Sequence, residues 1–355
     1  MRIVAACLLP ATLLGCASIQ TRMTETTAEA AVTVDSRIEL MSVIQLLSDY
    51  FLVSYLDSSY KLEAAEYFAS CRDHPAVSKF SELSSSDFSF STVPDAFIAL
   101  SEPPLLEQRY PPKPEVTQSA GGPEAYAEFL SLTRAFASDC GFLDFYARNR
   151  PYYDRLIAQS RPSVTASTRI LSAYLGMPLG LTEVVLGPLL HDGGFATRYD
   201  SDDGKASAYA FIGPASIVDG ETNFGTSERL QPLISHEFAH TVINPLTARY
   251  SSEVGASAAN FDGLVEAMRR EGYTTWDQVI NESIIRAVTA RLTTQERGNA
   301  AGEAEIADEL QRGFVYVPAL ISALEHYEAH RETYPTIESY YPNLLRVFEE
   351  ATSLS

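Results

Sequence analysis

The segment Ser235-His236-Glu237-Phe238-Ala239-His240-Thr241 constrains this chain more than any other. Two histidines four apart on a helix project from one face and can grip a single ion. Glu237, beside the first histidine, reaches a water next to that ion rather than the ion itself. Leu230, Leu233, Ile234, Phe238, Val242 and Ile243 recur at helical spacing, so the pattern sits on an amphipathic helix. Asn244-Pro245 reads as its stop, because the residue before a proline is pushed out of the α region. The plainer alternative is a helix whose two histidines bond buried carbonyls.

Catalytic zinc takes three protein ligands and a water, so a third ligand is required. Asn281-Glu282-Ser283-Ile284-Ile285-Arg286-Ala287 offers one. Thr275 followed three residues later by Gln278 is a capping-box signature, which starts a helix at Trp276. Ile280, Ile284, Ala287, Val288 and Leu292 mark its buried stripe, and Glu282 lies beside it. An inward carboxylate is costly without a cationic partner. A metal ion offsets that cost; so would Arg286, one turn later, in an ordinary helix pair.

A His-Glu-x-x-His helix followed by Asn-Glu on a second helix resembles the gluzincin metallopeptidases, whose thermolysin-like members share this layout. The distance along the chain from His240 to Glu282 suits that group. No third histidine follows shortly after His240, so the metzincin pattern is absent. HEFAHTVINPL, NESIIRA and GFVYVPALISALEHYEAHRETYPTIESYYP further resemble a bacterial family of secreted proteins of unknown function with a gluzincin-like pattern. The resemblance extends over most of the chain from about Ile38 and is specific around the two metal motifs. It implies Zn2+ held by His236, His240 and Glu282, with Glu237 as general base. It also implies a zincin-like catalytic core with a small β-sheet above the metal helix.

Gluzincins commonly place a tyrosine or histidine where it donates a hydrogen bond to the developing oxyanion. Tyr316, His326, Tyr327 and His330 are candidates, and Tyr316 is preferred because it follows Gly313 at a loop-to-helix junction. Zincins hold an extended peptide against a sheet edge, a general mode of recognition. Two runs upstream of the metal helix read as strands, Thr182 to Leu190 and Ser207 to Ile212. One of them is expected to be that edge, an ordinary core strand being the alternative. His191, in the turn between them, is within reach of the site or simply solvated.

The remaining chain is read by composition and pattern. Arg2, an apolar run from Ile3 to Leu14 and the sequence Leu13-Leu14-Gly15-Cys16 form an export signal too short to span a bilayer permanently. The small residue before Cys16 fits lipoprotein processing, with Cys16 acylated to anchor the mature protein to a membrane. Pro10 and Leu14 depart from the usual pattern, so a soluble exported protein is the alternative. Residues 16–34, rich in Thr, Ala, Ser and Glu, read as a flexible tether. Residues 35–355 then make an α+β, mainly α, domain. Its part 35–176 is helical and carries no recognisable chemistry, while part 177–355 holds the sheet and the metal motifs.

Cys7 leaves with the signal and Cys16 is assigned to lipidation, so Cys71 and Cys140 remain to form a disulfide in an oxidising compartment. Two buried free thiols are the alternative. The formal net charge is −20. Such an acidic chain excludes nucleic acid as an electrostatic partner and reads as a self-repelling, solvated surface.

These readings converge on an exported zinc-dependent peptidase acting on a peptide or protein substrate. A non-catalytic, zinc-stabilised surface binding protein and an amidase acting on cell-wall peptides are the alternatives.

Overall fold

A computed structural model describes residues 30–53, 55–200 and 206–352. The chain is mainly helical, with a four-stranded mixed sheet and a separate two-stranded one. The expected export signal and Cys16 lie outside the described residues. Among the described residues no helix is long and apolar enough to cross a membrane.

The end of the expected tether is part of the fold. Ala31–Thr33 forms β1, which pairs in parallel with β2 (Leu181–Leu186), and Val32 and Val34 are buried. A three-residue strand leaves too short a pattern to read locally; its partner, far along the chain, makes it a strand.

The first half contains α1 (Ser36–Leu47), α2 (Ser59–Tyr67), α3 (Pro75–Ser84), α4 (Thr92–Ile98), α5 (Pro114–Ser119), α6 (Pro123–Asp139), α7 (Phe142–Arg148) and α8 (Arg150–Leu175). Asp35 starts α1 by accepting the N–H groups of Arg37 and Ile38. This helix is buried on nearly every side, Arg37 and Glu39 included, rather than along one stripe. His74 caps α3, its ring accepting the N–H of Ala76 at 3.1 Å. Cys71 and Cys140 form a disulfide, with Cα atoms 6.2 Å apart, that ties the turn after α2 to the end of α6.

The main sheet has the order β1-β2-β4-β3, with β3 spanning Gly194–Asp200 and β4 spanning Ala206–Ile212. The β2–β4 pair is parallel and β3 runs antiparallel to β4. Val184, Val185, Leu186 and Ala208–Ile212 are buried, as inner strands require. Both runs that read as strands therefore lie inside the sheet. The free edge beside the helix that carries His236 and His240 is β3, whose sequence GFATRYD carries no continuous apolar run. A hairpin of β5 (Ser216–Val218) and β6 (Glu221–Asn223) follows, turning at Asp219-Gly220 with both φ angles positive.

The second half contains α9 (Ser227–Arg249), α10 (Ser251–Ala256), α11 (Val265–Arg270), α12 (Trp276–Arg297), α13 (Asn299–Arg312), α14 (Val317–Ala329) and α15 (Ile337–Thr352). The expected stop at Asn244-Pro245 does not occur, because α9 runs through Pro232 and Pro245. A proline inside a helix leaves the carbonyl four residues back without its donor. Arg198 Nη1 on β3 donates to the Thr241 carbonyl at 2.9 Å, and Arg297 Nη1 on α12 donates to the Glu228 carbonyl at 3.4 Å. Neighbouring elements thus supply what each proline removes. The predicted capping box does start α12, with Gln278 Oε1 accepting the Thr275 N–H at 3.1 Å.

Candidate metal centre

Helix α9 packs against β3, β4, α8 and α12, and this arrangement builds the site. His236 and His240 come from one face of α9 and Glu282 from α12; donor atoms of all three lie within 4.8 Å of one another. His236 Nε2 and His240 Nε2 are 3.3 Å apart. His240 Nε2 is 3.2 Å from Glu282 Oε1, and His236 Nε2 is 3.6 Å from Glu282 Oε2. Two nitrogens each about 2.05 Å from a tetrahedral zinc ion are about 3.3 Å apart. The paired imidazoles have that spacing.

The donor set could hold a cation. One proton between the rings serves two of the three groups, whereas an ion serves all of them. Glu282 Oε2 is buried and has no aligned hydrogen-bond donor, although Arg286 Nη2 lies 2.9 Å away. A metal and Arg286 are the alternative partners that the sequence offers Glu282; in the structure the carboxylate faces Arg286 and both imidazoles. Arg286 in turn is held by Glu309 at 2.8 Å and lies over the Phe314 ring at 4.2 Å.

Further contacts orient these three side chains. His240 Nδ1 meets Asn244 Oδ1 at 3.2 Å, an arrangement that turns Nε2 toward the other donors. Burial pushes the His236 imidazole down to about 3, so it is neutral at physiological pH. Burial would lower His240 as well, but its hydrogen bond and attraction to Glu282 outweigh this and raise it. Glu282 would be raised by burial, yet the His240 hydrogen bond and the nearby cationic groups hold its carboxyl well below the usual range.

Glu237 points the other way, toward β3. Burial pushes its carboxyl up to about 7, the range in which a carboxylate can both take and return a proton. Gly194 lies against it: a Cβ there would sit 2.7 Å from Glu237 Oε1. The glycine at the start of β3 therefore allows the strand to approach this carboxylate.

A cleft of about 600 Å³ opens over the cluster, lined by His236, Glu237, His240, Glu282 and by Gly194, Phe195 and Ala196 of β3. Tyr316 is not among its lining residues; its ring packs on Phe348 at 4.8 Å and on Trp276 at 5.9 Å. Tyr327 is buried and donates to the carbonyls of Tyr174 and Leu175, while His326 stacks on His330 at 3.9 Å. His191 accepts the Gly193 N–H at 2.9 Å and packs on Phe195 at 4.9 Å, outside the donor cluster. The tyrosine that does line the cleft is Tyr273, whose hydroxyl lies 3.3 Å from Arg286 Nη2. Burial raises its phenol, which stays protonated and able to donate. The short loop before α12 gave the sequence no reason to prefer it over other tyrosines.

The chain matches the model of a family described as a domain of unknown function (DUF4932) over residues 30–347. It belongs to that family. The DUF4932 match begins one residue before β1 and spans His236, His240 and Glu282. No curated protein and no solved structure matches the chain.

Proposed function

We propose that this DUF4932 protein is a zinc-dependent peptidase of the gluzincin type, built on a zincin-like core. The observation that carries the proposal is the 3.3 Å spacing of the two imidazole nitrogens, with Glu282 Oε1 3.2 Å from one of them. His236, His240 and Glu282 would hold the ion. When bound, zinc supplies a Lewis acid that polarises a carbonyl and lowers the pKa of water toward about 7.

The chain's own residues supply the rest. An extended peptide adds to the free edge of β3, so its backbone runs past Gly194–Ala196 and over the cluster. Glu237 takes a proton from the attacking water and delivers it to the leaving nitrogen as the C–N bond breaks. Tyr273, rather than Tyr316, is the phenol available to donate to the oxyanion. Arg286 keeps the Glu282 carboxylate turned toward the imidazoles. The readings of residues 1–16 as an export signal with lipidation at Cys16 extend the proposal to an exported, membrane-anchored enzyme.

The test is zinc content and hydrolysis of a mixed peptide library by the wild type and Glu237→Gln. About one zinc per chain in both proteins, with hydrolysis by the wild type alone, is expected. Stoichiometric zinc with no hydrolysis by either protein would instead favour the non-catalytic binding protein. Turnover confined to cell-wall peptides would favour the amidase.

A further inference from the structure

We propose that Phe90, backed by Phe51 and acting with Phe195, forms a subsite that selects an aromatic side chain on the peptide substrate. The inference rests on the peptidase reading and gives the helical first half a role: it builds a wall of the cleft.

Phe90 and Ser91, from the loop before α4, line the same cleft as the metal cluster. Phe90 is 56% exposed and Phe51, on the loop after α1, is 65% exposed. Their rings meet edge to face at 5.4 Å, so two large apolar side chains stand together in water. The loop carrying Phe51 is fastened beside the cleft, where the Leu52 carbonyl accepts the His191 N–H at 3.0 Å and Val53 bridges to Leu190. Phe195, next to Gly194 on β3, lines the cleft as well.

The backbone at Phe90 carries the argument further. Its φ is +50°, a left-handed conformation that an aromatic residue seldom adopts and that needs support from its surroundings. Support comes from Tyr50, whose hydroxyl oxygen accepts the Phe90 N–H at 2.9 Å. Burial of Phe90 does little to offset the strain, because more than half of the residue is exposed. Glycine or asparagine would satisfy the turn at lower cost. A phenylalanine held there is accounted for by what its ring meets in the cleft. The occupant is a side chain of the peptide itself, since the aromatic wall continues directly into the lining over His236 and Glu237. The cleft's other lining residues include the polar Asn244, Gln278 and Asn281, so the apolar contact is local to this wall.

The test uses two short peptidyl hydroxamates that differ only in a phenylalanyl or alanyl side chain, with the zinc-loaded full chain and calorimetry as readout. The wild type should bind the phenylalanyl compound about tenfold or more tightly than the alanyl one. Phe90→Gly keeps the left-handed backbone without the ring and should bring the ratio close to one by weakening the phenylalanyl compound. Phe90→Tyr, which keeps a ring, should retain the preference. Equal binding of both compounds by the wild type, or an unchanged ratio in Phe90→Gly with normal zinc content, overturns the subsite and leaves the peptidase reading intact. Binding of neither compound to zinc-loaded protein overturns both.

Discussion

Replacing Gly194 with alanine tests the proposed role of Glu237 as general base without touching a proposed ligand. A Cβ at this position would sit 2.7 Å from Glu237 Oε1 and 3.0 Å from both Cδ and Cγ. Ordinary carbon contacts lie at about 3.5–4.0 Å, so the carboxylate must retreat by on the order of half an ångström to one ångström. It is the far end of a rotatable side chain, and the Gly194 backbone is not left-handed, so the fold can accommodate the methyl group. Misplacing a catalytic group by about 1 Å costs up to about a hundredfold in rate. Gly194→Ala should therefore retain zinc content and thermal stability while kcat on a fluorogenic peptide falls about tenfold to a hundredfold. Steady-state kinetics with metal analysis on the same samples reads both quantities. Undiminished kcat in a zinc-replete variant would refute the assignment of Glu237 as the base acting beside β3.

Two predictions concern the helical half. Glu39 is fully buried, with Tyr60 donating to Oε2 and no hydrogen-bond partner on Oε1, and burial pushes its carboxyl up to about 8. A raised folded-state pKa means that stability is greatest below the unfolded value near 4.5 and is lost as pH rises toward about 8. Each unit is worth about 1.4 kcal/mol, so the loss approaches a few kcal/mol. Glu39→Gln should flatten this pH dependence in chemical denaturation, and an unchanged slope between pH 5 and about 8 would contradict it. The Cys71–Cys140 disulfide closes a separation of 69 residues. Reducing it should lower unfolding free energy by about 4 kcal/mol on the chain-entropy view, read as a lower denaturation midpoint; no change would count against that role.

The elements legible in the sequence were those whose signals are local. Thr275 and Gln278 fix the start of α12 because the capping bonds join neighbours in sequence. The histidine pair is equally local, since one helical turn brings both rings to one face. Glu282 could be placed on a helix beside a buried stripe, but its nearness to the histidines depends on the packing of α9 on α12. What escaped the sequence were features created at a distance. Pro245 reads as a stop until Arg198 on β3 is seen to take up the Thr241 carbonyl. Neither β1 nor β3 has an apolar pattern of its own to declare it a strand, and each is fixed by its partner. Tyr316 and Tyr273 are indistinguishable by type; only the third dimension sends one to an aromatic cluster and the other to the cleft.

The central claim is that two imidazoles and one carboxylate share a single ion. X-ray absorption at the zinc edge of the purified, zinc-loaded chain reads that ligand set directly. The account predicts a four-coordinate site with two imidazole nitrogens and oxygen ligands at about 2.0–2.2 Å, and loss of one oxygen ligand in Glu282→Ala. A sulfur ligand, a single imidazole, or a spectrum unaltered by Glu282→Ala would contradict it.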